Sequence, residues 1–179
     1  MKTIRRMNIR ACEISKLQRS IMSLEEKLKK ASLNRKKKDS EIDWDKRRLL
    51  WTEQVGILYG NVEKWLKRYI EKNYISVHFY EIALHEEHIG KYSMDVLELD
   101  LGEPSVVFRP VGTNMIGACG RVDWYVSGHL DDKRMLILRE NDESQGFQWE
   151  LWKKRHRRPF NRDTLEETLE EWLACYDSL

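Results

Sequence analysis

Apolar residues near the start of the chain recur at seven-residue intervals. One series is Met7, Ile14, Ile21 and Leu28, and a second, three residues further along, is Leu17, Leu24 and Ala31, with Arg10 as its exception. Alternating steps of three and four residues place apolar side chains along one side of a helix, as in a coiled coil. Because a lone helix cannot bury such a stripe, the pattern predicts a partner. The predicted contact residues, here called the heptad stripe, are Ile14, Leu17, Ile21, Leu24 and Leu28.

The polar segment Asn34–Ser40 interrupts this pattern and predicts a turn or bend. Ser40 is the predicted N-cap of a second helix, whose apolar residues recur at helical spacing over residues 51–69. Gly56 and Gly60 lie inside that helix and predict close helix approach or a kink. Two arrangements remain open: the heptad stripe pairs with another chain, or the two helices form a hairpin that packs on the rest of the protein.

From residue 74 the apolar period changes from helical to alternating, which is typical of strands. The predicted strands are residues 76–84, Met94–Leu101, Ser105–Val111, Arg121–Ser127, Lys133–Glu140 and Phe147–Lys154. Short, turn-like separators predict that consecutive strands are antiparallel neighbours. A last helix near Asp163–Tyr176 has one apolar face, which is predicted to pack on the sheet.

The sequence therefore predicts an α+β fold in two parts. A helical coiled-coil arm of two helices covers residues 1–73, and an antiparallel β-sheet with a C-terminal helix packed on it covers residues 74–179. Within the sheet, alternation assigns Val122, Trp124 and Val126 to the core and leaves Trp152 on the opposite, polar face.

Composition and charge narrow the class of protein. The chain has 179 residues, of which 41% are hydrophobic and 35% charged, so it has enough apolar surface to fold. No apolar run approaches the roughly 18 residues of a membrane span, and no secretory signal is recognised. Three cysteines without close spacing predict neither a disulfide framework nor a zinc site, and a cytoplasmic location is expected.

The net charge of +2 conceals an asymmetry between the two ends of the chain. Residues 1–48 hold 16 basic and 7 acidic residues, whereas residues 49–179 hold 16 basic and 23 acidic residues. Two basic runs, residues 35–38 and residues 153–158, suit contacts to phosphates. Trp152, next to the second run, could stack on a base. The residues that this hypothesis names as nucleic-acid contacts are Trp152, Lys153, Lys154, Arg155, Arg157, Arg158, Lys36, Lys37 and Lys38. A solvated surface or a docking patch for an acidic protein is the alternative.

One set of residues is a candidate for catalysis. Asp123, Glu150 and Lys153 are the residue types of a restriction-type nuclease, in which two carboxylates hold Mg²⁺ and a lysine steadies the attacking water. However, a three-residue separation puts Glu150 and Lys153 on opposite faces of a regular strand. The glycine-rich segment 112–120 lacks a phosphate-loop ending and predicts a hairpin or bulge. No cofactor or metal is predicted.

The layout of a basic helical arm, with acidic residues near its predicted tip, on a globular C-terminal body resembles that of the Gre-type transcript-cleavage factors. That resemblance implies Mg²⁺ bound by the tip carboxylates of Asp39, Glu41, Asp43 and Asp45. It rests on layout alone, and the β-rich pattern of the body departs from that family.

Because the heptad stripe is the clearest pattern in the chain, the sequence predicts a non-enzymatic interaction or assembly protein. It would oligomerise, or bind another helical subunit, through the heptad stripe, within a complex that is associated with nucleic acid. The alternative is a metal-dependent nuclease or a nucleic-acid-binding factor that uses the β domain and its basic run.

Overall fold

The computed structural model describes residues 23–115, 117–141 and 146–176, and of residues 35–41 it describes the backbone alone. The elements are α1 (Leu24–Glu41), α2 (Trp44–Ile70), β1 (Ser76–Glu86), β2 (Gly90–Asp100), β3 (Ser105–Gly112), β4 (Gly120–Val126), β5 (His129–Asn141), β6 (Gly146–Lys153), β7 (His156–Pro159) and α3 (Arg162–Tyr176). The chain divides into two compact units, one up to Asp43 and one from Trp44 onward. The second unit is called the body.

Helix α1 begins at a capping box. The Ser23 hydroxyl accepts a hydrogen bond from the Glu26 backbone N–H at 3.2 Å, and the Ser23 N–H donates to the Glu26 carboxylate at 2.8 Å. The helix continues to Glu41, so the turn predicted at Asn34–Ser40 and the N-cap predicted at Ser40 are wrong. Lys and Arg are good helix formers, and a segment that is polar on all sides extends an exposed helix as readily as it forms a turn.

The body contains one antiparallel sheet in which each strand pairs with the next along the chain, in the order β1 to β7. The predicted α+β class and antiparallel meander are confirmed, and all six predicted strands are present. Strand β7 was not predicted, because its residues are mostly basic and show no apolar alternation. It pairs with β6, with Trp152 opposite Arg157.

Helix α2 belongs to the body and not to an arm. Its buried residues, which include Trp51, Leu58 and Leu66, pack in the same core cluster as the strands and α3. The body begins at Trp44, which differs from the predicted division after residue 73. Helical spacing of apolar residues indicates that one face is buried, but it does not say whether a helix or a sheet covers that face.

The two glycines in α2 have no close neighbours. A Cβ atom built on Gly56 or Gly60 meets nothing within 4 Å among the described residues, and both positions are exposed. The interpretation of these glycines as a close helix approach is therefore wrong, and the helix runs without a break through both positions. No helix in the described ranges is both long and apolar enough to cross a bilayer.

The core lies between one face of the sheet and helices α2 and α3. Val122, Trp124 and Val126 are buried there, as the alternation predicts. Trp124 packs on Trp172 of α3, with ring centroids 4.8 Å apart. Helix α3 therefore covers the core face of β4, and the opposite face of this strand is left to polar side chains.

Candidate functional site

The first candidate surface is on helix α1. Leu24 and Leu28 are 74% and 61% exposed, although both are large apolar residues. They lie four residues apart and so share one side of the helix. Ile14, Leu17 and Ile21, the other members of the heptad stripe, lie outside the described residues.

Two further features of α1 bear on this surface. Leu33 is 68% exposed but lies nine residues after Leu24, which places it on the opposite side of the helix. The backbone of Ser23 is extended, so the helix that carries Leu24 and Leu28 starts after Ser23. One uninterrupted helix over residues 7–31, as the heptad pattern suggests, therefore does not pass through Ser23 in this structure.

The second candidate surface is the β6–β7 hairpin, which contains the basic run that the sequence singles out. Lys154 and Arg155 form its turn, and Lys154 adopts a left-handed φ of 56°. Residues that face each other in an antiparallel pair point to the same side of the sheet. Since Arg158 pairs with Leu151 and Arg157 pairs with Trp152, neighbouring residues of the run point to opposite sides. The basic run therefore does not form one continuous positively charged patch.

On the side of the sheet away from the core, here called the open side, an arginine covers Trp152. The guanidinium carbon of Arg157 lies 3.9 Å from the Trp152 ring centroid, a cation–π contact. The Trp152 indole N–H donates a 2.8 Å hydrogen bond to Glu150. Trp152 is half-buried and points away from the core, whereas its neighbour Leu151 points into the core, as the alternation predicts.

On the core side, the basic run meets the acidic residues of α3. Lys153 Nζ lies 2.5 Å from the Glu171 carboxylate and 3.5 Å from that of Asp132. Arg158 Nη1 lies 2.5 Å from the Glu167 carboxylate. The pairs with Glu171 and Glu167 join the hairpin to α3, and the pair with Asp132 joins it to β5.

A buried arginine lies beneath these pairs. Arg134 of β5 is 1% exposed, and its Nη1 donates a 2.7 Å hydrogen bond to the Thr168 hydroxyl. Its Nη2 lies 2.6 Å from the Glu171 carboxylate, and its guanidinium carbon lies 4.7 Å from the Trp172 ring centroid. The Arg134 Nε–H has no hydrogen-bond acceptor among the described residues. A buried donor without an acceptor is costly, so this atom needs an explanation.

Arg134 borders a cavity of about 360 Å³ between the hairpin and α3. We call this cavity the hairpin cleft, and its lining residues are Arg134, Leu151, Lys153, His156, Arg157, Arg158 and Glu171. The hydrogen bond from Lys153, together with the charge of Arg134, holds the pKa of the Glu171 carboxyl below its ordinary value. An anionic oxygen is therefore favoured at this position.

Sequence reasoning missed Arg134 and Glu171. Arg134 sits in the polar stretch at the start of β5, where charge suggests solvent exposure. A signal was present, since Leu136 and Leu138 follow Arg134 at every second position and share its face. Glu171 lies outside the apolar face that the sequence predicts for this helix, and nothing in the sequence places it beside β6.

The three nuclease candidates do not come together. Asp123 is paired with Arg121 at 2.6 Å and with Lys133 at 2.8 Å. Glu150 is two strands away, beyond β5, and Lys153 points to the other face of the sheet. Within the described ranges, no three carboxylate, histidine or cysteine side chains are grouped to hold a metal ion.

Other predicted residues lie where the structure describes no side chains. These are Lys36, Lys37 and Lys38 of the first basic run, and Asp39 and Glu41 of the acidic group near the predicted tip. Asp45 of that group is in the first turn of α2, where it pairs with Arg48 at 3.3 Å.

The glycine-rich segment receives a carboxylate of the chain itself. Glu86 Oε2 accepts hydrogen bonds from the backbone N–H groups of Thr113 at 2.7 Å and Asn114 at 2.9 Å. Gly112 has a φ of 139°, and a Cβ atom there would lie 2.8 Å from the Glu86 carboxyl carbon. The segment joins the antiparallel strands β3 and β4, and the register of this pair shifts between Pro110 and Gly112, so the predicted hairpin or bulge is confirmed.

Comparison of the chain with models of known protein families, with curated protein sequences and with solved structures gives no match.

Proposed function

We propose that the protein is a non-enzymatic interaction or assembly protein that associates, with itself or with another helical subunit, through the heptad stripe. The observation that carries this proposal is the exposure of Leu24 and Leu28 on one side of α1. Burying a leucine side chain contributes about 1.5–3 kcal/mol, so two adjacent exposed leucines favour a covered state. Leu24 and Leu28 would contact the partner, and Ile14, Leu17 and Ile21 would extend the contact.

The extended backbone at Ser23 limits the form of this contact. A capping box stabilises a helix that starts after Ser23, so the stripe would consist of two segments that meet at this residue. We also propose a cytoplasmic location, because Cys119 and Cys175 are both free thiols and a reducing compartment keeps thiols in that state.

Replacing Leu24 and Leu28 together with Glu should abolish association. The double substitution removes roughly 3 kcal/mol or more of apolar burial from each helix, which corresponds to a more than 100-fold rise in the dissociation constant. Sedimentation equilibrium of the purified chain, together with a pull-down at native levels, measures the change. Leu33→Glu is the matched control, because Leu33 is equally exposed but lies on the opposite side of α1. Equal effects of both substitutions would contradict the proposal.

A second candidate function is the binding of single-stranded nucleic acid by the open side of the hairpin. The specific observation in its favour is the stacking of Arg157 on Trp152, because the same ring could stack on a base when the arginine turns to a phosphate. Lys154 and Arg155 at the turn add charge beside this ring. Lys153 and Arg158 point to the other side of the sheet and are left out of this contact.

Substitutions at Trp152 and Arg157 should affect nucleic-acid binding in different ways. Trp152→Ala should weaken single-strand binding by roughly 1–3 kcal/mol and leave the salt dependence unchanged. Arg157→Ala should reduce the slope of log K against log salt by roughly 0.7, the contribution of one phosphate contact on a single strand. Fluorescence titrations at several salt concentrations measure both, and Arg158→Ala is the control. If the wild type does not bind at about 50 mM salt, where phosphate contacts are strong, this candidate function is wrong.

A further inference from the structure

We propose that the hairpin cleft is a binding site for a phosphate dianion. This site goes beyond both proposed functions: it is separate from the heptad stripe, and with the open side of the hairpin it shares only Arg157, which lies over Trp152 and also borders the cleft. Its centre is Arg134, whose Nε–H is buried and has no acceptor among the described residues. A bound oxyanion would supply that acceptor.

The composition of the cleft favours an anion. Four of its seven lining residues are Lys or Arg, a fifth is His156, and Glu171 is the only acidic one. Asp132 and Glu167 lie nearby and pair with Lys153 and Arg158, so part of the positive charge is already balanced. Buried Arg134 has two carboxylates near its Nη2, that of Glu171 at 2.6 Å and that of Asp132 at 3.7 Å, and both of them also pair with Lys153.

The position of Glu171 shows how the ligand would bind. Its two carboxylate oxygens lie 2.6 Å from Arg134 Nη2 and 2.5 Å from Lys153 Nζ. An anionic group therefore already occupies the space between these two cations. The Glu171 side chain is 45% exposed and can swing into solvent without opening the core. A phosphate that replaced it could contact Arg134 and Lys153 at once and also present an oxygen to the Arg134 Nε–H.

Phosphate fits the donor set better than a carboxylate does. A guanidinium presents its N–H groups in a planar fork that matches two oxygens of a phosphate, and a lysine adds a point charge. A cavity of about 360 Å³ holds such a group with space for a small substituent. The source is either free phosphate or a small phosphate monoester, and the two share the chemistry that Arg134 recognises.

The test follows the Arg134 Nε–H resonance in ¹⁵N-correlated NMR spectra. Inorganic phosphate is titrated at constant ionic strength against chloride, and a small monoester, glycerol 3-phosphate, is titrated in parallel. We expect a saturable shift with phosphate and none with chloride. A tighter response to glycerol 3-phosphate assigns the site to a monoester, whereas a tighter response to inorganic phosphate assigns it to the free anion.

Three variants separate ligand binding from a structural role. Lys153→Ala should weaken phosphate binding roughly fivefold or more, because it removes one charge-assisted contact. Glu171→Gln should tighten binding by a similar factor, because it removes the internal competitor and keeps the shape of the side chain. Arg109→Ala, on the opposite face of β3 from the core residue Phe108, is the control and should leave the affinity unchanged.

A structural role alone predicts a different result. Lys153→Ala and Glu171→Gln both break the same ion pair, so both would lower the melting temperature and neither would change a phosphate response. The proposal is overturned if phosphate gives no saturable shift, if chloride gives the same shift, or if Glu171→Gln fails to tighten binding. Trp152→Ala should leave the phosphate response intact even if it abolishes nucleic-acid binding.

Discussion

Trp124→Ala is expected to lower the free energy of unfolding by about 3–5 kcal/mol, the usual cost of removing a buried large aromatic side chain. Trp124 is 0% exposed and stacks on Phe108 of β3 at a centroid distance of 5.1 Å. It also contacts Phe160 at 5.4 Å and Trp172 at 4.8 Å. The substitution would therefore leave a cavity where the sheet, α3 and the segment before α3 meet.

Two control variants accompany Trp124→Ala, and urea denaturation measures the free energy of unfolding of all three. Trp124→Phe should cost less, because it keeps a ring and because the indole N–H has no hydrogen-bond partner to lose among the described residues. Trp152→Ala should cost less still, since Trp152 lies on the open face. A loss at Trp152 as large as that at Trp124 would show that the assignment of the two faces is wrong.

Gly120→Ala is expected to lower the free energy of unfolding by about 1–3 kcal/mol, the range for overpacking a core. A Cβ atom at Gly120 would lie 2.3 Å from two ring carbons of Trp51. Trp51 is buried in α2, and its ring also packs against Trp149 at 6.0 Å. The ring cannot move aside freely, so either the helix or β4 must shift.

Gly60→Ala in α2 is the matched control for Gly120→Ala. A Cβ atom at Gly60 meets nothing within 4 Å, and alanine in a helix is favoured over glycine by about 1 kcal/mol. The control should therefore raise stability while Gly120→Ala lowers it, as thermal or chemical unfolding can show. If both substitutions were stabilising, α2 would not pack on β4 as closely as the structure has it.

The sheet was predictable because the alternation of apolar and polar residues marks each of the six predicted strands by itself. In β4, alternation alone assigned Val122, Trp124 and Val126 to the core, and all three are buried. Helix α2 was found as a helix but was assigned to an arm, because its apolar spacing suits a helical partner and a sheet equally well. Telling these apart requires long-range contacts such as that between Trp51 and Gly120, which the sequence does not contain.

The candidate site was predictable only in part. The basic run and Trp152 were visible as composition, but the division of the run depends on the pairing of β7 with β6. That pairing places Arg157 over Trp152 and turns Arg158 toward α3. The role of Arg134 depends on α3 crossing the sheet, which brings Glu171 from more than thirty residues away.

The central claim is that the side of α1 carrying Leu24 and Leu28 is the assembly surface, and site-specific photo-cross-linking tests it most directly. A photoreactive amino acid is placed at Leu28 or, in a separate protein, at Leu33, and the adducts formed at native protein levels are mapped by mass spectrometry. The account predicts a strong adduct from position 28, joined to Leu24 or Leu28 of a second copy or to one helix of a single partner. It predicts little adduct from position 33. Equal yields from the two positions, or no adduct from either, would contradict the claim.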